Sequence, residues 1–181
     1  MSVSTDLKVE LLPPEASDDQ HTMTHLAEMV NRVYATAEHG LWLPGATRTN
    51  VDEIKEFTKA GQIVVARIGT LIVGSIRVQQ LDPNTAETGM LVADPRFRNI
   101  GIGRELRRFV IDMLRGRGVK SLQIELLVPR EGTQESKKFM AEWNERSGYK
   151  VVRRGSLQEQ YPALAPQLAV PCDFIIYNKD L

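Results

Sequence analysis

The chain has 181 residues, of which 42% are hydrophobic and 25% are charged, and its formal net charge is zero. This composition is typical of a globular protein, and the length is enough for one domain with a sizeable core. A chain without net charge is poorly suited to broad binding of nucleic acid or of an anionic membrane, so we expect neither as a partner.

Cysteine and histidine usage sets further expectations. The single cysteine, Cys172, excludes an internal disulfide and is expected to be buried at a strand edge. The first twenty residues lack an apolar segment, and no apolar run approaches the roughly 20 residues of a membrane span. We therefore expect a cytoplasmic protein. His21 and His25 have a zinc-compatible spacing, but the His-Glu-x-x-His pattern is absent, so we expect no metal.

Helical and strand patterns follow one another along the whole chain. Apolar residues at a spacing of three to four predict helices, and short apolar or alternating runs predict strands. In chain order these are a strand at 7–12, helices at 21–38 and about 50–59, a hairpin with strands at 63–66 and 71–78, a strand at 87–92, a helix at 101–116, a strand at 122–128, a helix around 139–143, and strands at 148–152 and 174–177. Because hairpins and helical crossovers both occur, this order predicts one α/β domain over residues 1–181 with a mixed sheet.

The stretch from Val92 to Leu106 is the most informative part of the sequence. It reads as a strand, a turn containing a proline, and a glycine-rich loop that opens a helix. Gly101 and Gly103 at a helix start leave backbone N–H groups free and allow another molecule to approach them. Arg98 and Arg104 add positive charge. We interpret this loop as a phosphate-binding site, the alternative being a tight turn without a ligand.

The spacing within this loop resembles one family in particular. The run Pro95…Arg98-x-x-Gly101-x-Gly103-x-x-Leu106 resembles the acyl-CoA-binding motif of the GNAT superfamily of N-acetyltransferases, Arg/Gln-x-x-Gly-x-Gly/Ala. The dinucleotide-binding pattern fits less well, because its third glycine would fall at Leu106. The resemblance is strong over about residues 60–154. It implies a central mixed sheet of about six to seven strands, flanked by about four helices in three layers.

The resemblance also implies a ligand and the residues that bind it. The acyl donor would be acetyl-CoA, and the backbone N–H of Leu91 or Val92 would polarise its thioester carbonyl. Lys137 stands about where an asparagine contacts CoA in the family. The implied CoA-binding residues are Leu91, Val92, Arg98, Asn99, Ile100, Gly101, Ile102, Gly103, Arg104 and Lys137.

Glu87 is the candidate general base. It lies eleven residues before Arg98, which is the offset of the catalytic glutamate in the histone-acetylating branch of the superfamily. A partly desolvated carboxylate can take a proton from an ammonium group, often through water. The alternative is an exposed strand glutamate beside the turn at 82–84.

The sequence departs from the family pattern at the general acid. Many members carry a tyrosine four residues before a Gly-Phe or Gly-Tyr pair, and here Asn144 stands four residues before Gly148. Asparagine can donate a hydrogen bond but cannot deliver a proton. Tyr161 or a water molecule remains as the acid, although a thiol with a pKa of about 8.5 leaves tolerably without one. Trp143, one residue earlier, is expected in the core.

Two segments would contact the acceptor, by resemblance: the loop at 39–49 and the stretch at 155–173. Their candidate substrate-binding residues are Trp42, Arg48 and Tyr161, together with Glu87. Each aromatic has an equally good interpretation as a packed surface residue. Arg48 would suit an acceptor that carries a carboxylate.

The sequence thus predicts an N-acetyltransferase that acts on a primary amine of a small molecule or protein by direct attack in a ternary complex. The alternative is a catalytically reduced acyl-CoA-binding regulatory or interaction module, motivated by Asn144 and the missing helix asparagine. A third interpretation, a DNA-associated protein, rests only on the arginines around the loop. Many relatives are homodimers, but the sequence itself does not indicate an oligomeric state.

Overall fold

The structure is a computed structural model that describes residues 6–181. These residues form one sheet of seven strands in the order β1-β2-β3-β4-β5-β7-β6. The β4–β5 pair is parallel and the other pairs are antiparallel, which confirms the predicted mixed sheet. The strands are β1 (Leu7–Leu11), β2 (Ile63–Ile68), β3 (Leu71–Gln80), β4 (Thr85–Ala93), β5 (Ser121–Pro129), β6 (Lys150–Gly155) and β7 (Cys172–Asp180).

Five α-helices connect these strands in the described part of the chain: α1 (Gln20–Ala37), α2 (Val51–Lys59), α3 (Ile102–Gly116), α4 (Glu135–Arg146) and α5 (Leu157–Gln160). Short 3-10 turns lie at Pro14–Asp18, Pro95–Phe97 and Ala165–Gln167. Asn50 caps α2, because its side chain accepts a hydrogen bond from the Glu53 N–H at 2.9 Å. None of these helices is long and apolar enough to cross a membrane.

The helices cover both faces of the sheet and produce three layers. On one face α1 and α2 pack on apolar side chains of β2, β3 and β4. On the other face the apolar stripe of α3 packs on β2, β3, β4 and β5. A smaller cluster lies between α5 and the pair β5–β7, and it contains the buried Cys172. This arrangement confirms the expected α/β fold with its three layers.

Strand β4 is irregular at its centre. Ser75 on β3 pairs with Val92, but Arg77, two residues later, pairs with Gly89. Met90 and Leu91 therefore lie opposite a single β3 residue, which is a β-bulge. Met90 adopts a φ of 52°, a left-handed backbone conformation that residues other than glycine rarely adopt. The bulge changes which residues of β4 face each side of the sheet.

Strands β4 and β5 separate beyond this point. Their ladder extends only from Thr85–Ser121 to Thr88–Ile124, although both strands continue for several residues. The second halves of the two strands thus enclose a gap in the sheet. This gap positions the site described next.

Candidate active site

The loop from Arg98 to Arg104, the 98–104 loop, presents a row of free backbone donors. Asn99 and Gly101 both have left-handed backbone conformations, with φ of 64° and 82°. Within residues 6–181, the backbone N–H groups of this loop donate no hydrogen bond, and the first helical bond of α3 is donated by Glu105. Such a series of N–H groups at the start of a 15-residue helix favours an anion. The loop can therefore hold a phosphate.

A buried carboxylate holds the short turn that connects β4 to this loop. Asp94 directly follows β4, and its side chain is 1% exposed. It accepts hydrogen bonds from the backbone and the guanidinium of Arg96, which lower the pKa of the Asp94 carboxyl. The Arg32 guanidinium adds a weaker attraction from α1 at 3.8 Å. Asp94 thereby stabilises the turn at Pro95–Phe97, through which the chain passes from β4 to the loop.

The gap between the two strands forms a narrow cleft of about 50 Å³, the β4–β5 cleft. The β4 wall of the cleft includes the bulge. Leu91, whose backbone N–H is predicted to polarise the thioester carbonyl, therefore lines the cleft. Val92, the other residue predicted for that role, is buried and pairs with Ser75 instead. The cleft is lined by Thr88, Gly89, Met90 and Leu91 of β4, Ile124, Glu125 and Leu126 of β5, Tyr34, Arg107, Met140 and Asn144.

Beside the cleft lies a wider groove of about 320 Å³, the basic groove, between α3 and α4. Trp143 forms part of its wall and is only partly buried, so the prediction that it belongs to the core is not met. The cations that line the groove are Arg104, Arg107, Arg108, Arg115 and Lys179. Their charge suits a ligand with more than one phosphate.

Arg107 connects the groove with the cleft, because it lines both. Its guanidinium stacks on the Trp143 ring at 3.6 Å, and its Nη2 donates to Asn144 Oδ1 at 2.7 Å. The buried Nη1 has no hydrogen-bond partner among residues 6–181. Burial lowers the pKa of Arg107 to about 10, so the side chain stays cationic at neutral pH. Arg107 is one of the arginines around the loop, and the sequence indicated no role of its own for it.

Two carboxylates and a tyrosine lie on the sheet face that α1 and α2 cover. Glu87 of β4 accepts from Gln123 Nε2 at 2.7 Å, and Glu125 of β5 accepts from the Tyr161 hydroxyl at 2.7 Å. Burial, and then repulsion from Glu87, raise the pKa of Glu125 to about 7. Burial and the bond to Glu125 also raise the pKa of Tyr161. The structure thus places two of the predicted site residues, Glu87 and Tyr161, next to Glu125.

Sequence reasoning missed Glu125. The signal for it was present, because Gln123 and Glu125 are the polar positions of an alternating strand. The parallel register places Gln123 beside Glu87, so Glu125 is the next residue along β5 on the same face. That register could not be known before the strands were paired.

Cations border the carboxylate pair. Arg48, predicted as an acceptor contact, lies over the Tyr34 ring at 5.3 Å and attracts Glu125 electrostatically. Arg77 of β3 stacks on Phe57 at 3.6 Å, and burial lowers its pKa while Glu87 opposes that shift. The site therefore has both signs of charge around one small opening.

The remaining predicted contacts, Lys137 and Trp42, meet at Glu38. Lys137 forms an almost fully buried ion pair with Glu38, and the Trp42 indole N–H donates to the same carboxylate at 2.5 Å. This cluster ties the start of α4 to the end of α1. The structure thus places Lys137 against protein rather than in the 98–104 loop or the cleft. Among the described residues, no group of three or more metal-binding side chains is present.

The sequence model of the "Acetyltransferase (GNAT) family" matches residues 27–142, well over half of the chain. The chain belongs to this acetyltransferase (GNAT) family. The family resemblance drawn from the 98–104 loop is thereby confirmed. A comparison with curated proteins gave no significant match.

Several solved structures share the fold. One is yncA, a putative acetyltransferase from Salmonella typhimurium with its cofactor acetyl-CoA, at a TM-score of 0.67 and 14% identity, covering 97% of this chain and 94% of that one. The structure of a mosquito arylalkylamine N-acetyltransferase like 5b has a TM-score of 0.67 and 15% sequence identity. The match covers 97% of this chain and 100% of that one. N-acetylglutamate synthase from Neisseria gonorrhoeae, complexed with coenzyme A and N-acetyl-glutamate, has a TM-score of 0.63 and 15% sequence identity. The match covers 97% of this chain but only 35% of the synthase.

Proposed function

We propose that this GNAT protein is an acetyl-CoA-dependent N-acetyltransferase that modifies a primary amine of a small molecule or protein. The observation that carries the proposal is the opening between β4 and β5. One wall of this opening is the bulged backbone at Leu91, and the Glu87–Glu125 pair lies beside it. A thioester on one side of such an opening could meet an amine on the other.

The residues present suit the acyl donor. Acetyl-CoA carries a pyrophosphate, a further phosphate and an uncharged amide-containing arm. The free N–H groups of the 98–104 loop would bind phosphate oxygens, and the basic groove would offset further phosphate charge. The arm would lie in the β4–β5 cleft, where β4 has lost its partner strand. Leu91 would then donate its backbone N–H to the thioester carbonyl.

The proposed reaction is a direct transfer in a ternary complex. The acceptor ammonium loses a proton to a carboxylate, and the neutral nitrogen attacks the thioester carbonyl carbon. The new N–C bond forms as the C–S bond breaks, and the sulfur leaves with the electron pair. The nitrogen gives up a second proton, and the sulfur gains one to become free CoA thiol.

Calorimetric titration tests the donor site. We expect acetyl-CoA to bind with a micromolar Kd and free adenosine diphosphate to bind more weakly, because it lacks the arm. Arg98→Gln should weaken acetyl-CoA binding, whereas the matched Arg117→Gln, at the opposite end of α3, should not. Absence of acetyl-CoA binding would show that the 98–104 loop is only a turn, and the proposal would fail.

Thiol release tests the chemistry. A panel of an arylalkylamine, agmatine, an aminoglycoside, glutamate and a peptide with a free N-terminus covers the main kinds of amine. The proposal predicts thiol release that depends on at least one of them. Acetyl-CoA binding with no release by any of these amines would instead favour the alternative, a binding module without chemistry.

A further inference from the structure

We propose that Glu125, not Glu87, takes the proton from the acceptor ammonium, and that Glu87 is a positioning residue that tunes it. This inference rests on the proposed function. It assigns the general base to a residue on β5 that the sequence pattern did not single out. Four observations lead to it.

The first is position. The β4–β5 ladder ends at Thr88 and Ile124, so Glu125 is the first β5 residue beyond the paired segment. Of the two carboxylates, Glu125 is the one that lines the cleft, together with Gly89, Met90 and Leu91 of the β4 wall. A base must lie within hydrogen-bond reach of the nitrogen that attacks the carbonyl. The residue on the cleft wall meets this condition better than a residue inside the ladder.

The second is hydrogen bonding. Glu87 is held inside the ladder by Gln123 Nε2 at 2.7 Å, from the strand position directly beside it. This bond occupies one oxygen of the Glu87 carboxylate and fixes the direction of the side chain. Glu125 accepts a single hydroxyl bond from Tyr161, at 2.7 Å, which leaves carboxylate lone pairs for an acceptor.

The third is proximity. Glu87 lies opposite Gln123, two positions before Glu125 on the same face of the sheet, and its negative charge raises the pKa of Glu125. Partial burial is the larger cause, and the two effects together raise the pKa of Glu125 to about 7, which suits proton transfer near neutral pH. Glu87 therefore supplies the negative charge that makes its neighbour a stronger base.

The fourth is the set of surrounding groups. Arg48 attracts Glu125 and favours its ionised form, but burial and Glu87 have the larger effect. The charged or titratable side chains that face the pair or share its cleft are Tyr34 of α1, Arg48 of the α1–α2 loop, Arg77 of β3, Arg107 of α3 and Tyr161 after α5. Of these, Tyr161 donates a hydrogen bond to Glu125 and Arg48 attracts it electrostatically, so both lower the pKa of Glu125. Tyr161, whose pKa is raised, holds the Glu125 carboxylate and is not itself ionised at neutral pH.

The proton balance follows. The acceptor ammonium transfers one proton to the Glu125 carboxylate and attacks as a neutral amine. After the N–C bond has formed and the C–S bond has broken, the second nitrogen proton reaches the sulfur. Glu125 returns its own proton to water, so the residue ends the cycle ionised. No oxidant, metal or covalent enzyme intermediate is required.

The test is the pH dependence of kcat/KM for the most active amine of the panel, at saturating acetyl-CoA. For the wild type we expect activity to rise with pH through a midpoint near 7. Glu125→Gln should lower kcat by about 100-fold or more and should lose this midpoint. Glu87→Gln should keep kcat within about tenfold and move the midpoint to lower pH, because the repelling charge is gone. Glu142→Gln, an exposed glutamate on α4, is the matched control.

Opposite behaviour would overturn the assignment. If Glu87→Gln loses turnover while Glu125→Gln keeps both its turnover and its midpoint near 7, Glu87 is the base. Acetyl-CoA binding, measured by calorimetry, should be unchanged in both variants, which separates a proton-transfer defect from misfolding. Absence of thiol release by the wild type with every amine would overturn the proposed function, and this assignment with it. If the wild type is active, a midpoint that moves to lower pH in Glu87→Gln supports Glu125 as the base, and an unmoved midpoint contradicts that role without affecting the proposed function.

Discussion

Asp94 shows how a single side chain can fix the turn that precedes the 98–104 loop. Its carboxylate is enclosed where β4 ends, and it bonds both the backbone and the guanidinium of Arg96. A bond between a buried carboxylate and a cationic donor typically contributes about 1.5–3 kcal/mol. Because the pKa of Asp94 is lowered in the folded state, this contribution depends on pH.

We predict that Asp94→Asn lowers the free energy of unfolding by about 2 kcal/mol at neutral pH. A lowered folded-state pKa means that the stabilisation is fully present above the unfolded pKa of about 3.9 and is lost as the pH falls through the folded value. Urea unfolding of both proteins from pH 7 down to pH 3 checks this. A difference that stays constant over that range would show that the charge of Asp94 is not its source.

The candidate site could be predicted only in part from single residues. The geometry of the 98–104 loop was predictable, because the glycine spacing indicates a turn that leaves backbone N–H groups free. Glu87 and Tyr161 were candidates from the sequence, and the structure places both next to Glu125. Glu125 and Arg107 were missed, since each acquires its surroundings from a neighbouring strand or helix distant in sequence. Which of these residues take part in the reaction stays a prediction.

At the scale of elements, α3 lies very close to β3. A Cβ added at Gly74 would lie 2.4 Å from Ile102 Cγ2 and 2.9 Å from the Val92 carbonyl oxygen. Both distances are shorter than van der Waals contact. The Val92 oxygen belongs to the backbone, so it cannot move aside by a change of side-chain rotamer. The absence of a side chain at Gly74 therefore allows the first residue of α3 to pack against the sheet beside the 98–104 loop.

We predict that Gly74→Ala destabilises the protein by about 3 kcal/mol, because the helix start or the strand must move. Gly116→Ala is the matched control: Gly116 ends α3, and nothing lies within 4 Å of an added Cβ there. That variant should be neutral or more stable by up to about 1 kcal/mol. Urea denaturation measures both effects. Equal stability of the two variants would contradict the tight packing at Gly74.

The Glu38–Lys137 ion pair connects α1 to α4. Both side chains are less than one tenth exposed, and Trp42 donates to the same carboxylate. Ser136 adds a hydroxyl bond to the Ala37 carbonyl oxygen at 2.5 Å. Removal of one member of a buried ion pair leaves an uncompensated charge, whereas replacement of both is often nearly neutral.

We predict that Lys137→Met costs about 3–5 kcal/mol of stability and that Glu38→Gln combined with Lys137→Met recovers most of the loss. Acetyl-CoA affinity of the folded Lys137→Met protein should be unchanged. Chemical denaturation and calorimetry provide the two readouts. Loss of acetyl-CoA affinity with little change in stability would instead support the CoA contact that the family resemblance implied for Lys137.

Most elements were predictable from the sequence, and the two departures have separate physical causes. The long helices and the central strands carry a clear apolar period, and their predicted bounds agree with the structure to within a few residues. The four-residue α5 has too few residues to show a period. The predicted strand at 148–152 begins two residues too early, because Gly148 adopts a left-handed φ of 85° after α4.

On the scale of the whole molecule, the sheet is incomplete where the donor would bind. The second halves of β4 and β5 do not pair with each other, while the rest of the sheet is continuous. A ligand that fills the β4–β5 cleft would replace the missing neighbour of each strand. Since it binds the folded state alone, it also stabilises the whole fold.

We predict that acetyl-CoA at one hundred times its Kd stabilises the protein by about 2.7 kcal/mol and raises Tm by about 5–10 °C. Amide hydrogen exchange should slow most at residues 89–93 and in the 98–104 loop, and least at β1 on the far edge of the sheet. Adenosine diphosphate should slow exchange in the loop but not at residues 89–93. Uniform protection by both ligands would contradict the proposed placement of the arm in the cleft.

The sequence by itself determined the family, the order of the elements and the position of the 98–104 loop. These features are encoded locally, by apolar period, glycine spacing and turn residues. Tertiary structure alone decided which side chains share the opening between β4 and β5. The bulge at Met90, the parallel register of β4 with β5, and the stacking of Arg107 on Trp143 each join segments that are distant in the chain. Such contacts depend on strand pairing and helix packing, which no local pattern specifies.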